Sequence, residues 1–212
     1  MSFDRKVAFY KSFGALFPAI FFVGIFFLTW DMYFTRLGVW GFTPAYLQGI
    51  YIYNLPLEEC LFFVVVPFAC LFIHEVLKAY LPNYDGRIFS RVFACTALLS
   101  SLALVILNWG KWYSVSAGSI AFFLILYFAF IRPATWFRHF ALTYTVVLLP
   151  FLLVNGVLTG AVTEEPVVWY NPNHFSGLRM YIIPVEDLFY NLDLLLPVAA
   201  IFHFLKHRRS VL

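Results

Sequence analysis

Short polar breaks divide the sequence into apolar stretches of about twenty residues, and that spacing limits what the chain can fold into. A hydrocarbon layer about 30 Å thick takes about 20 helical residues to cross. With 63% hydrophobic residues and 12% charged residues in 212, an all-α polytopic membrane bundle of about six transmembrane helices is expected. The spans fall at about 14–34, 56–78, 88–107, 112–131, 137–160 and 184–204. No length is left for a separate soluble domain.

The charged residues orient this bundle. With the N-terminus inside, eleven of the 14 basic residues share the inner face: Arg5, Lys6, Lys11, Lys78, Arg87, Arg91, Arg132, Arg138, Lys206, Arg208 and Arg209. Arg36, Lys111 and Arg179 remain outside. The positive-inside rule therefore places both termini in the cytoplasm of a cell (inner) membrane protein. Because the basic residues are scattered over span ends, nucleic acid is not an expected partner. Basic residues before the first span, with no small-residue cleavage site after it, favour an uncleaved span over a signal peptide. Cys60, Cys70 and Cys95 lie in apolar stretches without CxxC spacing and read as small buried hydrophobes. Gly156 and Gly160 form a small-xxx-small pattern that permits close helix contact.

One stretch stands out from this apolar background. Pro184-Val185-Glu186-Asp187 opens the sixth span and has an ungapped partner 128 positions upstream, Pro56-Leu57-Glu58-Glu59. Pro44 aligns with Pro172, Gly49 with Gly177 and Tyr53 with Tyr181; Phe42/Tyr170 and Phe62/Tyr190 are similar pairs in the same register. A parallel internal repeat follows, with modules at 1–110 and 111–212. Spans one and two correspond to five and six, an even number of crossings apart, so both acid pairs lie near the outer face.

A single Pro-x-Glu-Glu is an ordinary helix start, since proline suits the first turn and the dipole favours an anion there. Duplication in register, apolar surroundings and the lack of a Lys or Arg in the same helical turns make these acids functional candidates instead. At about 100° per residue, Glu186, Tyr190 and Asp193 share a stripe, with Asp187 and Asn191 on the adjacent one. The same places in the first copy are Phe62, Phe63 and Val65. The second module is therefore the wetter wall, and five acids converge on one aromatic pocket if spans two and six face each other. In a dry site one member of each pair holds a proton and its neighbour is available as a base. Aromatic faces suit a cationic intermediate. Four of the five histidines, His74, His139, His203 and His207, belong to the opposite side and are read as interfacial packing rather than a metal site. No GxGxxG follows a strand-like run, so no dinucleotide or flavin cofactor is expected.

The paired Pro-x-Glu-(Glu/Asp) motif, with Gly49 and Gly177 seven residues before each proline, resembles the signature of the non-flavin lycopene cyclases. These are small membrane proteins made either of two three-span subunits or of one fused chain, and the likeness covers essentially the whole sequence in the fused form. It implies conversion of the linear ends of lycopene or a related carotenoid into ionone rings without net redox change or cofactor. By the same likeness Glu58, Glu59, Glu186 and Asp187 are the functional acids; because the second module is the more polar half, Glu186 is the first choice for general acid. Phe62, Tyr190, Asn191 and Asp193 are placed in the substrate pocket by the face argument. Partners are the carotenoid, membrane lipid and either other enzymes of carotenoid synthesis or a second copy. Two other classes are compatible with membrane acids or apolar spans, a proton- or cation-coupled transporter with interrupted helices and a non-catalytic scaffold.

Overall fold

The computed structural model describes residues 5–211, with side chains as far as residue 208. Six long helices carry the fold: α1 (Phe13–Arg36), α2 (Leu57–Tyr80), α3 (Arg87–Leu107), α4 (Trp112–Ile125), α5 (Phe137–Leu158) and α6 (Glu186–Val211). A π-helical segment, Leu126–Ile131, continues α4. Among the described residues six helices are long and apolar enough to cross a membrane, and this is a multi-pass membrane protein.

α6 lies at the centre of the bundle. Leu192, Leu194, Leu195, Leu196, Val198, Ala199 and Phe202 are all buried; a helix apolar on every side must be enclosed on every side. α1, α2, α4 and α5 pack against it, and α3 is held outside by α4 and α5. Close approach of α3 and α4 requires Gly118, because a Cβ there would come within 2.9 Å of the Ser101 carbonyl oxygen. The glycine pair expected to bring helices together does something else. Gly160 lies beyond the end of α5 in a left-handed turn (φ +107), and Gly156 faces Ile183 in the loop before α6.

Small strands close one end. β1 (Trp40–Phe42) pairs antiparallel with β4 (Val168–Tyr170), Gly41 lying opposite Trp169. β2 (Tyr51–Ile52) and β3 (Leu55–Pro56) form a hairpin running into α2, and β5 (Arg179–Met180) with β6 (Ile183–Pro184) forms one running into α6. The two hairpins match bond for bond: Leu57 N donates to Ile50 O as Val185 N donates to Leu178 O. Gly49 and Gly177 have φ of +78° and +84°, and the turn residues Tyr53 and Tyr181 have φ of +59° and +60°. The motif glycines are therefore explained by backbone conformation, since only glycine takes that region without cost.

Basic residues meet at the other end. Lys6 lies over the Tyr80 ring, Lys78 and Lys206 both bind Glu75, and Arg138 reaches Asp85 at 3.5 Å. The side chain of Arg209, counted on this side above, is outside the described residues. His74 differs from its expected interfacial place. It is 1% exposed, inside the bundle, hydrogen-bonded to Thr143 Oγ1 and to His203 Nε2, both at 2.9 Å.

Candidate active site

The motif proline ends each hairpin, and the helix that follows turns its first two acids in different directions. The first acid of each copy accepts a backbone N–H from ten residues upstream. Gln48 N donates to Glu58 Oε1 at 2.7 Å and Ser176 N to Glu186 Oε1 at 2.6 Å. Each bond ties the helix start to the loop before the motif glycine. Glu186 Oε1 also accepts from Ser114 Oγ at 2.5 Å, and the residue is fully buried. Glu58 is half-buried.

The second acids face inward. Glu59 and Asp187 line one cavity of about 60 Å³, and Asp31 of α1 joins them. Around the acids stand Trp40, Phe62, Tyr113, Asn155, Tyr170 and Tyr190. Three donors converge on Asp187: Tyr113 Oη to Oδ1 at 2.5 Å, and Asn155 Nδ2 and Tyr170 Oη to Oδ2 at 2.6 and 2.8 Å. Charge-assisted bonds of this kind are worth about 1.5–3 kcal/mol each. Asp31 is 2% exposed, within electrostatic reach of Glu59 and in hydrogen-bonding reach of the Trp40 side chain, and its Oδ2 has no partner among the described residues. Tyr170 lies in β4, outside the spans; burial of its hydroxyl end, reinforced by the Asp187 charge, pushes the phenol well above its usual range. It remains a neutral donor at any ordinary pH.

The rings form a continuous cage. Tyr190 is edge-on to Phe27 at 5.3 Å and lies 5.2 Å from Trp30 and 6.0 Å from Trp40. Tyr113 stacks on Tyr170 at 5.9 Å. The Tyr190 hydroxyl has no hydrogen-bond partner among the described residues. Phe62, Phe151 and Leu158, from α2 and α5, make the apolar wall and are only partly buried.

Two of the five acids expected to converge thus share the cavity. Glu58 lies outside its lining, and Glu186 is held behind it by Ser114 and Ser176. Asp193 is fully buried deeper in α6 with both oxygens unpartnered. Of the four residues assigned to the pocket by the face argument, Tyr190 and Phe62 line this cavity, and Asn191 and Asp193 lie outside its lining. Motif comparison missed Asp31, because the residue 128 positions on is Thr159. An acid inside an apolar span was the signal that could have found it. No group of three His, Cys, Asp or Glu side chains among the described residues is placed to hold a metal ion.

The lycopene cyclase family model matches residues 1–77 and 110–205, most of the chain. The chain belongs to the lycopene cyclase family. This membership supports a carotenoid cyclase function for the chain and a carotenoid as its substrate. The residues between the two matched segments, 78–109, hold α3, the helix outside the central packing. No curated protein and no solved structure matches the cyclase.

Proposed function

We propose that this cyclase closes ionone rings on the linear ends of lycopene, giving β-carotene by proton addition and proton loss at one carboxyl-lined cavity. The observation that carries the reading is the inequality of the cavity's acids. Asp187 has three donors at its carboxylate, while Asp31 and Glu59 lie together without a basic residue in the lining. Two like-charged carboxyls in a dry site hold a proton between them more readily than they both ionise. The Asp31/Glu59 pair is thus the general acid and Asp187 the base, and the first-choice acid moves from Glu186 to this pair. Glu58 and Glu186 are positioning residues that fix the hairpin against the helix.

The atoms balance without a cofactor. A proton from the pair adds to the terminal carbon–carbon double bond and leaves a tertiary cation. The next double bond attacks that cation, closing a six-membered ring and moving the charge to a ring carbon. Asp187 removes the adjacent proton, and the electron pair of that C–H bond becomes the ring double bond. Asp187 then gives its proton to water, and the pair is reprotonated from solvent before the next ring. Ring faces of Trp40, Tyr113 and Tyr190 attract the intermediate charge by about 0.5–2 kcal/mol each. A neutral hydrocarbon needs no basic residue and would enter from lipid past Phe62, Phe151 and Leu158.

The same reading proposes two modules, 1–110 and 111–212, related by a two-fold axis along the membrane normal. Support comes from the matching hairpins and from β1 and β4, whose residues differ by 128 and pair about Gly41 and Trp169. With the basic end in the cytoplasm, the cavity lies near the outer face. The transporter alternative would call for helices interrupted at the site, whereas α1 and α5 run unbroken beside the cavity and α2, α4 and α6 begin at it. The test is expression in lycopene-accumulating bacteria followed by pigment extraction, with conversion repeated in D2O. Cyclic product carrying one deuterium per ring is expected; unchanged lycopene with the protein correctly inserted, or unlabelled rings, would overturn the reading.

A further inference from the structure

A second cavity lies at the opposite, basic end of the bundle, between the start of α3, the π-helical end of α4 and the start of α5. Its volume is about 410 Å³, and Arg87, Arg91 and Arg138 line it together with Ser90 and Phe128. Its shape follows from the packing. α3 and α4 are pressed together where Gly118 meets the Ser101 carbonyl; beyond that contact α4 widens into its π segment, with Arg132 N bonded to Tyr127 O at 2.7 Å. Segments of this kind are frequent at functional sites.

The cavity's charge is one-sided. No acid lines it; Asp85 lies outside the lining, bound to Arg87 at 2.6 Å and to Arg138 at 3.5 Å. Arg91 has no ion pair among the described residues. Three guanidinium groups around a hollow that continues into apolar side chains complement an anionic phosphate bearing hydrocarbon chains. Basic pockets between membrane helices at the cytoplasmic interface bind such headgroups.

We propose that this cavity is a binding site for an anionic phospholipid, with the headgroup phosphate held by Arg91 and Arg138 and the acyl chains against Phe128 and its neighbours. The lipid ties α3, which has few buried positions of its own, to α4 and α5. The site does not depend on the reaction carried out at the other end.

The experiment follows thermal unfolding of the purified, delipidated full chain in mixed micelles. Phosphatidylglycerol is expected to raise the midpoint by several degrees, and phosphatidylcholine or inorganic phosphate at the same concentration to leave it in place. In the double variant Arg91→Gln/Arg138→Gln, the phosphatidylglycerol concentration for half the shift rises about 25-fold, about fivefold per arginine. Arg36→Gln, at the other end, leaves it unchanged. Should the double variant fail to accumulate, Arg91→Gln alone is read for its fivefold change. An equal shift with phosphatidylcholine or with inorganic phosphate overturns the proposal, as does a variant that responds like the parent.

Discussion

The two copies of the motif share a backbone but not an environment. Both begin on the same two-residue hairpin, and in both the first acid accepts a backbone N–H from ten residues earlier. The second acids differ. Asp187 is surrounded by Tyr113, Asn155 and Tyr170; at the positions equivalent to Asn155 and Tyr170, 128 residues earlier, the first copy has Phe27 and Phe42. The first copy thus has rings at positions where the second has hydrogen-bond donors. In the mechanism we propose, matching hairpins with unequal polarity around the second acids present an acid on one side of the cavity and a base on the other.

The largest expected effect comes from removing the acid side. Asp31→Asn combined with Glu59→Gln leaves no proton source in the cavity and should lower ring formation by about 10²–10⁴-fold, the usual worth of general acid–base catalysis. Pigment chromatography after normalising for inserted protein checks this, and near-parental conversion would break the assignment. Removing single donors from the base side is milder. Tyr113→Phe or Asn155→Leu should each cost about 10–100-fold, from about 1.5–3 kcal/mol per charge-assisted bond. Initial rates in lycopene-loaded liposomes measure it; if both variants match the parent, Asp187 does not depend on its donors.

The asymmetry can also be reduced from the other side. Phe42→Tyr places a hydroxyl where Tyr170 has its own in the second copy. By stabilising a charge on the acid side it should slow conversion about fivefold, at about 1 kcal/mol for one added bond. A faster variant would contradict the division of roles. The smallest effect concerns pH. The Tyr170 phenol is raised in the fold above its ordinary value of 10, so its contribution to stability is complete below pH 10 and falls as the pH rises beyond that. Unfolding midpoints from pH 8 to 11 should decline above pH 10 in the parent and less steeply in Tyr170→Phe. Parallel profiles would remove Tyr170 from the account.

Much of this architecture was legible in the sequence because a bilayer constrains so strongly. All six helices lie within a few residues of the expected spans at the motif end. α6 runs further at its basic end, to Val211, because periodicity cannot say where a helix leaves the membrane. Duplication pointed to Glu59 and Asp187 but not to the difference between first and second acids. That difference is a rotation of about 100° on a helix whose facing is set by tertiary packing. Asp187 and Tyr190, three apart, share the cavity face, whereas the stripe of Glu186 and Asp193 turns away from it. Tyr113 and Ser114 lie in α4, whose residues have no position 128 earlier in the sequence, so no comparison between motif copies could reach them.

The division between first and second acids is the central claim, and one paired measurement addresses it. Glu186→Gln keeps an oxygen that can accept from Ser114 and Ser176; Asp187→Asn loses the base. Both variants, inserted to equal levels in lycopene-accumulating bacteria, are compared by their content of cyclised pigment. The account predicts ring formation within a few-fold of the parent for Glu186→Gln and essentially unchanged lycopene for Asp187→Asn. Rings from Asp187→Asn with none from Glu186→Gln would contradict it.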